Sequence, residues 1–229
     1  YNNIGFVPTM GGIHKGHASL IKISQKKKGK TFVSIFVNPT QFNKKKDFKK
    51  YPRNLLKDLS VLKKKKVDYV FIPKLNEIYK NKKNKKIPIS YRDKILCAKY
   101  RKGHFEGVLD VMERLTKLIK PNKIYMGEKD FQQIYLVKKF IEKKYFTKIV
   151  KCKTIRNKYN VALSSRNLHL SNDSMKIASH IVFELKKLIK ILSKQKDVNK
   201  FLKIKSLELM KKYKIKVDYL ELRNQNNLE

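Results

Sequence analysis

The sequence predicts an α/β fold, a doubly wound parallel sheet followed by a smaller α+β C-terminal domain. Two observations carry this prediction. Short apolar runs alternate with amphipathic segments, which is the order expected of repeated strand–helix–strand units. The run at 31–37 is apolar at almost every position and rich in β-branched and aromatic residues, as in a strand that is buried on both faces of a parallel sheet.

Prolines separate the elements of the first half. Pro8, Pro39 and Pro73 end three of the predicted strands, because proline cannot donate to a strand ladder. Pro52 suits the first position of a helix, since its fixed φ is already helical. The predicted strands are 4–7, 31–37, 67–72, 123–126 and 148–155. The predicted helices are 17–27, 108–119, 131–143 and the one after Pro52, whose apolar stripe is Leu55, Leu56, Leu59 and Leu62.

The second half changes character after residue 171. Two Lys-rich helices, 172–193 and 197–212, precede a predicted strand at 217–222. The Lys/Asn-rich stretch 80–86 is interpreted as a polar loop within the first domain and not as a domain boundary. We therefore predict two domains, 1–154 and 155–229.

Composition excludes several classes of protein. The chain has 229 residues and 41% hydrophobic residues, enough for a folded core. No stretch approaches the roughly 18 apolar residues of a membrane span, and the N-terminus lacks the pattern of a signal peptide. The two cysteines, Cys97 and Cys152, form neither a disulfide framework nor a zinc motif. A reducing, cytoplasmic location is the expectation, with both cysteines as packing residues.

The net charge of +39 suggests nucleic acid as a partner, but its distribution argues against a specific role. Lysines are spread along the whole chain and far outnumber arginines, although arginine reads bases and phosphates better. A binder of the phosphate backbone usually clusters its charge on one face. We interpret the excess as compositional drift on solvated faces.

The connection after the first strand carries the most informative motif, His14-Lys15-Gly16-His17. It follows Gly11-Gly12, where the backbone can approach a phosphate closely. Two imidazoles three residues apart share one helix face and could stabilise charge on a phosphate leaving group. The alternative from local sequence is a glycine turn with two surface histidines.

Several longer motifs stand in a fixed order with this one. They are Val7 to Gly11, Phe36 to Phe42, Gly103 to Val108, Gly127 to Gln133 and Ala162 to Asn167. Together they resemble the pantoate–β-alanine ligase family of the nucleotidylyl-transferase superfamily, from Gly5 to at least Ser171. The resemblance implies a Rossmann-like fold and a homodimer. It also implies ATP-dependent ligation of pantoate and β-alanine through a pantoyl adenylate, with Mg²⁺ on the ATP phosphates.

The same resemblance implies roles for individual residues. His17, with His14, would act on the phosphates, and His17 would be the proton donor. Gln41 and Gln133 would bind pantoate, with Asn38 and Arg101 near the substrates. The remaining ATP-binding residues would be Met10, Gly11, Gly12, Ile13, Lys15, Gly16, Gly127, Glu128, Lys129, Asp130, Ile155, Leu163, Ser164, Ser165 and Arg166.

Local sequence leaves alternatives for three of these segments. Gln41 could be a polar turn residue. Asp130 and Gln133 have the spacing of a helix capping box. The segment 163–166 could be a polar linker between domains instead of a mobile phosphate-binding loop.

Two departures from the family and one rival function complete the expectations. Lys15 replaces an acidic residue and Lys102 replaces a proline, and both add positive charge near the ATP site. The chain starts almost within its first strand and ends at Glu229, so the resemblance predicts a truncated lid domain. The rival is an RNA-binding or tRNA-synthetase-like module of the same superfamily, favoured by the charge and by His-x-Gly-His.

Overall fold

The structure is a computed structural model that describes residues 3–27, 29–80 and 87–229. Five parallel strands form one sheet in the order β3-β2-β1-β4-β5, which confirms the predicted doubly wound sheet. Apart from Lys80, the predicted loop 80–86 lies outside the described residues. The strands are β1 (Ile4–Thr9), β2 (Lys30–Ile35), β3 (Tyr69–Phe71), β4 (Lys123–Gly127) and β5 (Lys148–Cys152).

Helices connect the strands and continue after the last one. In the first half they are α1 (Lys15–Gln25), α2 (Lys45–Lys50), α3 (Leu55–Lys64), α4 (Leu75–Ile78), α5 (Leu96–Tyr100), α6 (His104–Ile119) and α7 (Phe131–Lys144). After β5 come α8 (Asn172–Ile191) and α9 (Val198–Tyr213). The short helices α2, α4 and α5 have too few turns to show an apolar period, and the sequence did not predict them.

The sheet is covered on both faces, because side chains alternate along each strand. On one face Phe6 of β1 packs with Val108 and Leu109 of α6 and with residues of α7. On the other face Val7 packs with Ile21 of α1 and with residues of α3. Leu20 and Ile21 of α1 are both buried on this face.

Two predicted helix starts and one predicted helix face were wrong. The helix after Pro52 begins at Leu55, because the Asn54 side chain accepts the Lys57 N–H at 2.9 Å and caps it there. Its apolar stripe is rotated: Leu56 is 83% exposed, and Asp58 and Leu62 face inward. Helix α6 begins at His104 and not at 108, after Gly103 turns the chain with φ at 78°.

The chain forms two compact units. The first contains 1–155 and 162–168, and the second contains 156–161 and 169–229. The predicted strand at 217–222 is not formed, and the described part of the second unit contains helices with no strand that could pair with it. The boundary at 154/155 stays a prediction. Within the described ranges, no helix is long and apolar enough to cross a bilayer.

The strand order creates one crevice. The chain runs outward from β1 through β2 to β3, then returns to place β4 on the other side of β1. The connections that follow β1 and β4 therefore leave the carboxyl ends of these strands in opposite directions. The crevice between them is the place where ligands bind in open α/β sheets. Thr9 and Gly127 are the last residues of these two strands.

Candidate active site

A cavity of about 240 Å³ opens at this edge of the sheet, entirely within the first unit. Most of the residues predicted for the site line it, while Gly11, Gly12, Ile13, Lys15 and Glu128 do not. The predicted residues that line it are Met10, His14, Gly16, His17, Asn38, Gln41, Arg101, Gly127, Lys129, Asp130, Gln133, Ile155, Leu163, Ser164, Ser165 and Arg166.

The two histidines cap α1, and backbone N–H groups fix the tautomer of each ring. The Gly16 N–H donates to Nδ1 of His14 at 3.0 Å, and the His14 N–H donates to Nδ1 of His17 at 3.3 Å. The rings stack with centroids 4.0 Å apart. Because each Nδ1 accepts a hydrogen bond, the proton of each neutral ring must be on Nε2. Both Nε2–H groups are therefore donors available to a ligand.

Gly16 is required by this arrangement. A Cβ at this position would lie 2.7 Å from Cε1 and 2.8 Å from Nδ1 of the His14 ring. Any side chain would push the ring away from the Gly16 N–H that it accepts. The glycine between the two histidines thus permits the cap that sets the direction of the His14 ring.

Burial keeps both imidazoles neutral. It lowers the pKa of His17 to about 3, with smaller contributions from His14 and the Lys129 charge. The pKa of His14 is also lowered, first by burial and then by Lys129. Protonation of either Nδ1 would set two N–H groups against each other. The cavity therefore offers neutral hydrogen-bond donors, in contrast to a charged histidine acid.

Because His17 is neutral in the folded protein, we expect acid to lower the free energy of unfolding. An unfolded histidine has a pKa near 6.5 and His17 in the fold about 3, so the unfolded state binds more protons between these values. The free energy of unfolding should then fall as pH decreases from 6.5, by about 1.4 kcal/mol per pH unit for one such group. Urea unfolding of the wild type and His17→Gln at pH 6.5, 5.5 and 4.5 measures this. The variant should lose less stability on acidification, and equal slopes would contradict a neutral His17.

Asp58 holds the glycine turn, a function that the sequence analysis missed. Its Oδ2 accepts the Gly12 N–H at 2.9 Å, and its Oδ1 accepts the Ile13 N–H at 2.7 Å. Gly11 and Gly12 have φ of +77° and +62°, a conformation that favours glycine. The backbone donors predicted to face a phosphate are thus occupied by a carboxylate.

Asn38 and Gln41 follow β2 at the same edge. The amide of Asn38 is fully used within the protein: Oδ1 accepts from the Thr40 N–H, the Thr40 hydroxyl and the Tyr79 hydroxyl, and Nδ2 donates to Gly107 O and Gln41 Oε1. Gln41 also donates from Nε2 to the Met10 sulfur at 2.9 Å. Asn38 therefore orients the amide of Gln41 over the cavity.

His104, which lines the cavity, is a second residue that the sequence analysis missed. Its Nδ1 lies 2.6 Å from the Gln41 carbonyl oxygen, so Nδ1 carries the proton. Burial, together with the Arg101 charge, lowers its pKa to about 4. His104 begins α6 and lies in the Gly103–Val108 motif, which was the signal available in the sequence. It anchors the backbone of Gln41.

The turn after β4 brings Lys129, Asp130 and Gln133 to the cavity. Asp130 makes no side-chain capping bond to α7, and it pairs instead with Lys129 at 2.9 Å. The capping-box alternative is therefore not what the structure contains. Gln132 is buried and donates to the Asp93 and Ile95 carbonyls, while Gln133 lines the cavity. Helix geometry separates the two adjacent amides as expected.

The loop 163–166 closes one side of the cavity. Leu163 N–H donates to Ile155 O at 2.9 Å, and the Ser165 hydroxyl donates to Gly12 O at 3.1 Å. Arg166 forms a bidentate pair with Asp47 of α2, at 3.1 and 2.8 Å, and its guanidinium lies 5.2 Å from the Tyr51 ring centroid. Asp47 raises the pKa of Arg166. The loop is therefore built into the cavity wall.

Comparisons with known proteins agree on one family. The family model described as pantoate-beta-alanine ligase matches residues 1–229. A pantothenate synthetase of Pseudothermotoga lettingae is 38% identical over 228 residues, covering 99% of this chain and 81% of the relative. A pantothenate synthetase of Clostridium botulinum is 41% identical over 222 residues, covering 96% of this chain and 79% of the relative.

Solved structures extend the agreement to the fold. A crystal structure of pantothenate synthetase from Thermus thermophilus has a TM-score of 0.91 and 31% identity, covering 100% of this chain and 83% of that one. A pantoate-beta-alanine ligase from Francisella tularensis, complexed with beta-gamma ATP and β-alanine, has a TM-score of 0.85 and 37% identity. The match covers 97% of this chain and 82% of that one. These comparisons lend no support to the RNA-binding alternative. On its sequence, its fold and the side chains of its cavity, this chain belongs to the pantoate–β-alanine ligase family.

Proposed function

We propose that this cavity catalyses the ATP-dependent ligation of pantoate and β-alanine to pantothenate, with AMP and pyrophosphate as the other products. One observation carries the proposal: two neutral Nε2–H donors, on His14 and His17, share a cavity with the amides of Gln41 and Gln133. The donors suit the phosphates of ATP, and the amides suit the hydroxyl and carboxylate groups of pantoate. The family and its ATP- and β-alanine-bound member from Francisella support the same reaction.

Activation of the carboxylate is the first step of the proposed reaction. A pantoate carboxylate oxygen attacks the α-phosphorus of ATP, and the bond between that phosphorus and the bridging oxygen to the β-phosphorus breaks. Pyrophosphate leaves with the bonding electrons. His14 and His17 stabilise the charge that develops on it by donating hydrogen bonds from Nε2. The protein contributes positioning and charge stabilisation.

Amide formation is the second step. The neutral amine of β-alanine attacks the carbonyl carbon of the pantoyl adenylate, and the bond from that carbon to the phosphate oxygen breaks. AMP departs, and the amine proton passes to water. Gln41, held by Asn38 and His104, and Gln133 on α7 keep the acyl group in place through both steps.

The proposal assigns the rest of the cavity to ATP. Lys129 and Arg166 would neutralise phosphate charge, Asp130 would accept from the ribose, and Ile155 would lie along the adenine. Among the described residues, no three His, Cys, Asp or Glu side chains form a group that could hold a metal. Mg²⁺ is therefore proposed only as an ion that the ATP phosphates carry. The homodimer and the cytoplasmic location stay predictions.

Isotope transfer tests the order of chemistry. With pantoate carrying oxygen-18 in its carboxylate, label should appear in AMP, because a carboxylate oxygen becomes the bridging oxygen of the adenylate and remains on phosphorus when the amide forms. Mass spectrometry of AMP and phosphate after one turnover measures it. Omitting pantoate or β-alanine in turn is the control, and AMP should not accumulate without pantoate. Label in inorganic phosphate with ADP as co-product would contradict the adenylate mechanism.

A further inference from the structure

The turn between β1 and α1 is held from two sides by groups outside the His-x-Gly-His motif. Asp58 accepts both the Gly12 and the Ile13 N–H groups. The Ser165 hydroxyl donates to the Gly12 carbonyl at 3.1 Å and lies 3.4 Å from the Gly11 carbonyl. The donors and the acceptors of one short turn are thus bonded to two different elements, α3 and the loop 163–166.

The Asp58 carboxylate is buried, and both of its oxygens are bonded to the turn. It is only 3% exposed, and both of its oxygens accept a backbone N–H. It also lies in the first turn of α3, where the helix dipole favours a negative charge. The carboxylate also packs directly against Gly11, because a Cβ on Gly11 would lie 2.9 Å from Oδ2 of Asp58. A buried carboxylate with these partners fixes one of the several backbone conformations that glycine can adopt.

The turn leads directly into the histidine pair. Ile13, whose N–H donates to Asp58, precedes His14, and the His14 backbone N–H in turn donates to Nδ1 of His17. A shift of the turn would therefore move the His14 amide and with it the bond that sets the His17 ring. Asp58 is thus linked to the His17 ring through two hydrogen bonds, which the peptide bond between Ile13 and His14 connects.

We propose that Asp58 is a positioning residue of the ligase reaction: it fixes the glycine turn so that the Nε2–H groups of His14 and His17 face the leaving pyrophosphate. This inference rests on the proposed function of the cavity. Asp58 touches no substrate in this scheme. It occupies the turn amides, so that the phosphates are bound by the histidine side chains and not by the backbone of the turn.

The substitution Asp58→Asn tests the inference. Asparagine has almost the same shape, but its amide group can accept only one of the two N–H groups and places an N–H against the other. We expect kcat for pantoate-dependent AMP formation to fall about 10- to 100-fold, the scale of misplacement by about 1 Å, with little change in KM for pantoate. In ¹⁵N spectra, the Nδ1 and Nε2 resonances of His14 and His17 should shift, because their hydrogen-bond partners move.

Asp68→Asn is the matched control. Asp68 also accepts a backbone N–H, from Thr31 at 2.9 Å, but at the amino end of β2, the opposite edge of the sheet. Its variant should retain kcat and the histidine resonances of the wild type. If Asp58→Asn retains both as well, the positioning function is refuted. If both variants lose activity equally without a histidine shift, Asp58 is structural only, and the inference is also refuted.

A measurement on the unmodified protein covers the case in which Asp58→Asn does not fold. The amides of Gly12 and Ile13 lie outside helices and strands, yet they should be protected from hydrogen exchange because the buried carboxylate accepts both. Fast exchange at both amides would refute the inference. If the wild type forms no AMP with pantoate, the ligase assignment fails, while protection of these amides still decides whether Asp58 holds the turn.

Discussion

Replacing His17 by alanine is expected to lower the rate of pantoate-dependent pyrophosphate release by about 100-fold or more, the effect of removing one donor to a developing charge. The His17 ring also accepts the His14 N–H, so the variant loses the capping bond that orders the start of α1. ATP binding should change less than the rate, because the charge on the leaving group develops only in the transition state. Rapid-quench measurement of pyrophosphate under single-turnover conditions separates the two.

Two further variants show which property of His17 matters. His17→Gln keeps an N–H donor on a side chain of similar reach and should retain more activity than His17→Ala. His169→Ala is the control, since His169 is exposed and does not line the cavity. It should behave as the wild type. A His17→Ala variant with a near-normal rate would remove this side chain from the proposed mechanism.

Replacing Gly107 by alanine is expected to reduce the free energy of unfolding by about 3 kcal/mol, the upper range for overpacking a core. A Cβ there would lie 2.4 Å from the Thr40 carbonyl oxygen, 2.6 Å from the Thr40 carbonyl carbon and 2.9 Å from the Gln41 nitrogen. All three are backbone atoms and cannot rotate aside. The first turn of α6 must then separate from the turn that carries Gln41, which breaks the Asn38–Gly107 hydrogen bond.

Gly103→Ala is the matched control for Gly107→Ala. Gly103 has φ at +78° but no atom within 4 Å of the position that a Cβ would take, so an alanine there meets only backbone strain, about 1 kcal/mol. Urea unfolding of both variants measures the difference, and pantoate-dependent AMP formation shows whether Gln41 has moved. Equal stability of the two variants would contradict the close contact between α6 and the turn at 39–41.

The sheet could be predicted because its strands are apolar on both faces. Phe6 and Val7 pack on opposite faces of β1, and a run that is apolar throughout indicates such a strand without any knowledge of its neighbours. Helix α3 is the counterexample. Its leucines repeat at helical spacing, but a spacing does not fix which side of a helix faces the sheet. Of the predicted stripe, Leu62 is buried, but Leu55 and Leu56 face solvent, and Asp58 occupies the buried side with Leu62.

The candidate site was predicted in part from local chemistry and in part from resemblance. Glycines next to histidines at a strand end indicate a phosphate site from the residues alone. The choice of Gln133 over Gln132 came from the resemblance, and the structure places Gln133 in the cavity wall. Asp58 and His104 were missed because their partners are backbone groups 45 and 63 residues away along the chain. No local pattern indicates the contact of Asp58, and the position of His104 in the Gly103–Val108 motif does not reveal its distant partner.

The pair between Arg166 and Asp47 has a consequence for the proposed binding of ATP, because a phosphate would then compete with a carboxylate for the same guanidinium. The guanidinium already has a carboxylate as its counterion, so a phosphate that takes Arg166 must displace Asp47. The hydrogen bond from Arg166 lowers the pKa of Asp47, and the nearby Arg101 charge lowers it further, so a displaced Asp47 would keep a second cation close by. One anion replaces another on the same cation. In a chain of net charge +39, such competition would favour a phosphate that pairs with Arg166 through two hydrogen bonds over the small anions that the lysines attract.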